Sequence, residues 1–156
     1  MDPAIRQRLI ARYREGPAVV TGAVAGLTGD QLDAREGGTG WSPREIVHHL
    51  ADSEMTSAIR LRRLLAEERP RIDGYDEEQF ARVLFYDRPI EASLRAVASA
   101  RETSADILER LSDDQWRRAG THSESGPYSV EKWLEIYAAH CHDHAAQIRA
   151  AIGRED

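Results

Sequence analysis

This chain has little cysteine, no excess of basic charge and no long apolar run, and each shortage removes a class of function. The single cysteine, Cys141, rules out an intrachain disulfide and a cysteine-built zinc knuckle. The formal charge of −6 argues against nucleic acid as the main partner, because binding phosphate needs a basic face. No uninterrupted apolar stretch approaches the roughly 20 residues of a membrane span, and Met1-Asp2-Pro3-Ala4-Ile5-Arg6 lacks the apolar core of a signal peptide. The expectation is a cytoplasmic protein acting on a small molecule, with neither membrane nor nucleic acid as partner. Period-two alternation is also missing, so strands are not expected. No glycine-rich phosphate loop, Ser-His-Asp set, Cys-x-x-Cys pair or di-iron set of helix glutamates with paired Glu-x-x-His motifs occurs.

What is present is a helix-rich chain with 41% hydrophobic and 31% charged residues, enough for one folded domain over residues 1–156. Ile5, Leu9, Ile10 and Tyr13 mark a first helix, expected to break or kink at Gly16-Pro17. Ser42-Pro43-Arg44-Glu45 is a capping box with proline at the first helical position, opening a helix to about Glu68. Residues 70–88 form an irregular excursion with a short helical turn near 76–81. A third long helix, with Asp87 as its expected cap, runs from about Pro89 to Leu111. Its stripe is Ile90, Leu94, Val97, Arg101, Ser104, Leu108 and Leu111, as in a bundle helix. A polar loop, 117–127, precedes a last helix capped by Ser129 and running through to Gly153. Leu27-Thr28-Gly29-Asp30-Gln31-Leu32 also resembles Leu111-Ser112-Asp113-Asp114-Gln115-Trp116, and each leads through a loop to a histidine-bearing helix. The expected architecture is all-α, a four-helix bundle with a pseudo-twofold internal repeat.

Three of the six histidines crowd into His140-Cys141-His142-Asp143-His144. His140 and His144 stand one turn apart on the face shared with Trp133, Tyr137, Cys141 and Ile148, and His142 points away. On the earlier helix His49 lies at the edge of the stripe Ile46, Leu50, Leu61 and Leu64, whereas His48 falls nearly opposite and is expected in solvent. The inward set is therefore His49, His140 and His144. These could be ordinary hydrogen-bonded core residues or three ligands of a divalent ion with open positions. Other polar residues fall inside too. Arg101 and Glu54 read best as a buried ion pair, with Arg101 or Arg60 as alternative anchors for a substrate carboxylate. Asp52 is placed to accept a hydrogen bond from His49, or else to face solvent. His122 is either a surface residue or a lining of the site, and Cys141 is a small buried hydrophobe.

The segment from Trp41 to Ser53 resembles the stretch that supplies the first metal ligand in the DinB/YfiT-like superfamily, with His49 eight residues after Trp41 in the ligand slot. Tyr137-Ala138-Ala139-His140 followed by His144 resembles the stretch that supplies the other two. Pro70, Ile72, Tyr75-Asp76-Glu77 and His122 with Gly126 are similar to its YfiT-like branch. The resemblance implies a four-helix bundle with a zinc or nickel ion on a histidine triad, and commonly a homodimer. It also implies one of several activities: metal-dependent hydrolysis, or transfer of a low-molecular-weight thiol such as bacillithiol or mycothiol, or isomerisation using such a thiol. With no separate general base visible in the sequence, thiol transfer to an electrophile is the preferred expectation. Hydrolysis by metal-activated water is the alternative. A metal site that only braces a stress-response bundle, or a metal-free helical domain, are the non-catalytic ones.

Overall fold

A computed structural model of the chain describes residues 1–154. Its long helices are α1 (Pro3–Val24), α3 (Pro43–Ala66), α5 (Glu91–Leu108) and α7 (Val130–Ala151). Shorter helices are α2 (Gly29–Leu32), α4 (Glu77–Val83) and α6 (Asp113–Trp116), and a 3-10 turn covers Glu36–Gly38. α1 packs against α5 and α7, and so does α3. α1 therefore stands diagonally opposite α3, and α5 opposite α7, so that α3 and α7, the two histidine-bearing helices, become neighbours. The repeat is visible in the caps. Thr28 with Gln31 opens α2 through a reciprocal capping box, and Ser112 with Gln115 does the same for α6. Ser42 and Ser129 then cap α3 and α7. No helix among the described residues is long and apolar enough to cross a membrane.

Three expectations need correction. The first helix does not break at Gly16-Pro17 but continues through both residues. Proline at 17 has no N–H for the carbonyl of Tyr13, four residues earlier. That carbonyl instead accepts Arg101 Nη1–H at 2.8 Å from α5. Gly16 makes room for this: a Cβ there would run into Arg101 Nη1 and would lie 2.8 Å from Cys141 Cβ. The lost backbone bond is thus replaced from outside the helix. Secondly, Asp87 does not cap α5, whose N-cap is Ile90 with no side-chain bond.

Thirdly, a small sheet exists where only loop was expected. β1 (Arg71–Ile72) pairs in parallel with β2 (Ala119–His122), and β2 pairs antiparallel with β3 (Gly126–Ser129). Strands this short carry no readable alternation. Gly120 is needed because a side chain there would strike the Pro70 carbonyl. The sheet fixes the 70–88 excursion, burying Ile72, and Tyr86 is buried as well, while Phe85 remains 75% exposed.

The core has two apolar clusters. One gathers Tyr13, Leu61, Leu64, Leu108, Trp133 and Tyr137, and the other Val20, Ile46, Leu50, Val97, Cys141 and Ile148. Arg101 stands where they meet, its guanidinium 4.3 Å from the centre of the Tyr13 ring, and it pairs with Glu54 at 2.6 Å. Neither side chain is exposed at all. Removing one partner of such a pair leaves an uncompensated charge and costs about 3–5 kcal/mol.

Candidate metal centre

The packing of α3 on α7 brings His49, His140 and His144 together, each offering a ring nitrogen within 4.8 Å of the others. His140 and His144 are i and i+4 on α7, and their Nε2 atoms are 3.2 Å apart. Two nitrogens held about 2.1 Å from one ion at a tetrahedral angle would lie roughly 3.4 Å apart, so this spacing suits a shared ion. The His49 ring closes the third side, 4.9 Å from the His144 ring and 5.4 Å from that of His140. Trp41 holds it edge-on at 4.7 Å.

The protonation states suit a cation. Burial, and then the neighbouring His144 and His140, push His49 down to about 3. Burial and His140 push His144 down to about 4. At neutral pH both rings are therefore uncharged, the state in which imidazole binds a metal. His144 Nδ1–H donates to Gln147 Oε1 at 2.9 Å, which leaves its Nε2 lone pair facing His140. His49 Nδ1 and His140 Nδ1 are both buried without a hydrogen-bond partner. The acceptor facing His140 Nδ1 is Glu54 Oε1, at 3.9 Å, longer than a hydrogen bond. Burial alone would raise the Glu54 carboxyl. His140 and the Arg101 charge hold it below the usual range. The residues present fit a divalent ion that three imidazole nitrogens would hold.

Outward lies a cleft of about 280 Å³, walled by Gly40, Trp41, His49, Glu77, His140, His144 and Gln147. Glu77, the first residue of α4, puts a half-exposed carboxylate 4.0 Å from His49 Nδ1. The sequence reading missed Glu77 as a carboxylate of the site. It lies on another element, and no periodicity connects it to the histidines. Gln147 was legible in principle, three residues after His144 on the same face of α7.

The other expected site residues lie elsewhere, and none of them walls this cleft. Arg101 cannot anchor a substrate carboxylate. Its Nη atoms already donate to Glu54, the Tyr13 carbonyl and the Tyr137 carbonyl, in full burial. Arg60 donates to the Tyr137 hydroxyl at 3.2 Å and to the Asp73 carbonyl at 2.7 Å. His122 is drawn inward by the β1–β2 pairing, where its ring faces Tyr128 and its Nδ1 accepts from the Glu124 backbone. Asp52 accepts the Tyr86 hydroxyl at 2.7 Å, and His49 Nδ1 is left without a hydrogen-bond partner. His48, expected in solvent, is completely buried, with Nδ1 2.7 Å from Ser93 Oγ and Nε2 3.0 Å from the Arg88 carbonyl. The segment before α5 covers the face of α3 that a simple bundle would expose.

Fold and site together define a four-helix bundle carrying a histidine triad in metal-ligand geometry. The chain belongs to the DinB superfamily, whose family model matches residues 12–148. A relative from Oceanobacillus iheyensis, named a candidate metal-dependent hydrolase, is 37% identical over 90% of this chain and 81% of its own length. A Bacillus cereus protein with the same kind of name is 32% identical over 89% of this chain and 80% of its own. Among solved structures, YfiT from Bacillus subtilis superposes with a TM-score of 0.92 at 30% identity, covering 99% of this chain and 91% of that one. Its description gives it an unusual four-helix-bundle topology and assigns it to the metal-dependent hydrolases on grounds of probability.

Proposed function

We propose that this protein is a metal-dependent hydrolase of a small ester or amide, with zinc or nickel held by His49, His140 and His144. Three neutral imidazoles and no thiolate suit either ion. Such an ion, when bound, polarises a scissile carbonyl and brings the ionisation of water at an open position to near pH 7. The chain's own groups supply the rest. Glu77 accepts the proton that the attacking water gives up and returns it to the leaving alcohol or amine, so that water is divided between the two products. Trp41 and Gly40 form one wall of the cleft and confine the substrate beside the triad. Gln147 keeps His144 in the tautomer that presents Nε2.

The observation that carries this reading is the exposed Glu77 carboxylate across the cleft from the triad. Thiol transfer was the preferred expectation from the sequence because some members of the resembled superfamily use thiols and for want of such a base. Glu77 removes the second ground, and the names of the relatives support hydrolysis. An open cleft also favours an enzyme over a bracing metal.

The deciding experiment assays zinc- or nickel-loaded protein against a panel of activated esters and amides, with and without low-molecular-weight thiols. Metal-dependent hydrolysis with no thiol present is expected. Glu77→Gln should keep its metal and lose roughly 10²–10⁴-fold in rate. Turnover only with a thiol, saturating in that thiol, would overturn the hydrolase and restore the transferase.

A further inference from the structure

Nothing in the proposed hydrolysis uses Glu54 or Arg101, although they are the most deeply buried charges in the bundle. The Glu54 carboxylate is a point of convergence. Arg101 Nη2 donates to Oε1 at 2.6 Å and the Tyr13 hydroxyl donates to Oε2 at 3.2 Å. The remaining group aimed at Oε1 is His140 Nδ1, and that nitrogen has no other partner. A buried N–H with no acceptor is costly, so the ring is drawn towards this oxygen. His144 has the matching arrangement, with Gln147 in place of Glu54. Each α7 imidazole therefore turns Nδ1 to a protein oxygen and Nε2 inward. The two Nε2 atoms lie 3.2 Å apart, a distance at which one donates to the other when protonated and at which both can share a cation when neither is.

We propose that Glu54 is a positioning residue for the metal centre, orienting His140 through its Nδ1–H, with Arg101 balancing the carboxylate and Gly16-Pro17 of α1 forming the seat for Arg101. This inference rests on the metal-binding reading above. It links a helix that contributes no ligand to the strength with which the ion is held. Pro17 frees the Tyr13 carbonyl for Arg101, Gly16 admits the guanidinium, and Arg101 fixes the carboxylate behind His140. A partner that hydrogen-bonds a histidine ligand from behind contributes about 10–100-fold in metal affinity.

The test measures zinc affinity by chelator competition, together with imidazole ¹H–¹⁵N spectra of the zinc-loaded protein. Wild type is compared with Glu54→Gln and with the double variant Glu54→Met/Arg101→Met, which removes both charges together. In wild type His140 should show a downfield, slowly exchanging Nδ1–H proton. In Glu54→Gln, whose amide oxygen is a weaker acceptor, that proton should move upfield. In the double variant, which has neither an acceptor behind His140 nor a stranded charge, affinity should fall at least about tenfold. The His144 proton, held by Gln147, should stay where it is in every folded protein. Affinity within twofold of wild type in the double variant would overturn the proposal. So would rapid exchange of the His140 Nδ1–H in wild type, which is readable whether or not the variants fold. Wild-type protein that takes up no zinc would instead overturn the metal reading itself, and this inference with it.

Discussion

His48 and His49 are adjacent in the sequence and do different work. His49 closes the triad, while His48 ties α3 to α5 through Ser93 and to the segment before α5 through the Arg88 carbonyl. Helical periodicity separated the two rings correctly but could not foresee that the 70–88 excursion folds back over His48. We expect His48→Ala to leave metal content unchanged and to lower stability by about 1–3 kcal/mol, by stripping two buried bonds. Urea denaturation and metal analysis of that variant check both parts. The histidines also set a pH dependence. The folded-state values of His49 and His144 lie well below 6.5, at about 3 and about 4, and burial lowers His48 as well. From about pH 6.5 down to 4 the unfolded chain takes up protons that the folded chain refuses. Stability should therefore fall as pH drops through that window and stay flat from pH 7 to 8. Unfolding midpoints between pH 8 and 4 measure this, and a midpoint unchanged down to pH 5 would contradict it. His144→Gln, which has no proton to take up, should show a shallower fall.

Among the elements, the long helices and the serine caps of α3 and α7 were legible because hydrophobic period and capping chemistry are local. The three strands were not, since pairing across 71–72, 119–122 and 126–129 is a long-range property of segments with almost no pattern. The Gly16-Pro17 pair shows how a local rule can be overridden. Proline reads as a helix break, yet α5 supplies the missing donor through Arg101 and α1 stays continuous. A sharp expectation follows for Gly16→Ala. By helix propensity alone it should stabilise α1 by about 1 kcal/mol. In this packing the added methyl meets Arg101 and Cys141, so we expect net destabilisation, with overpacking costing about 1–3 kcal/mol. Thermal unfolding reads the sign directly, and a raised midpoint would remove Arg101 from that seat.

At the scale of the whole molecule, the bundle order places α3 beside α7, and that adjacency makes a site from histidines far apart in sequence. The inward-facing triad could be read from periodicity and family resemblance. Glu77 could not, because it enters from an element whose course is set by tertiary packing. In the 70–88 excursion Ile72 and Tyr86 are buried, whereas Val83, Leu84 and Phe85 remain outside. We expect light scattering at tens of micromolar to give the mass of two chains, and the mass of one would remove the dimer. The central claim is that three histidines on two neighbouring helices hold one divalent ion. Its most direct test is elemental analysis of protein loaded with zinc or nickel and then desalted. One ion per chain is expected in wild type, His48→Ala and His142→Ala, and none in His49→Ala, His140→Ala and His144→Ala. Equal metal in all six proteins would contradict the account.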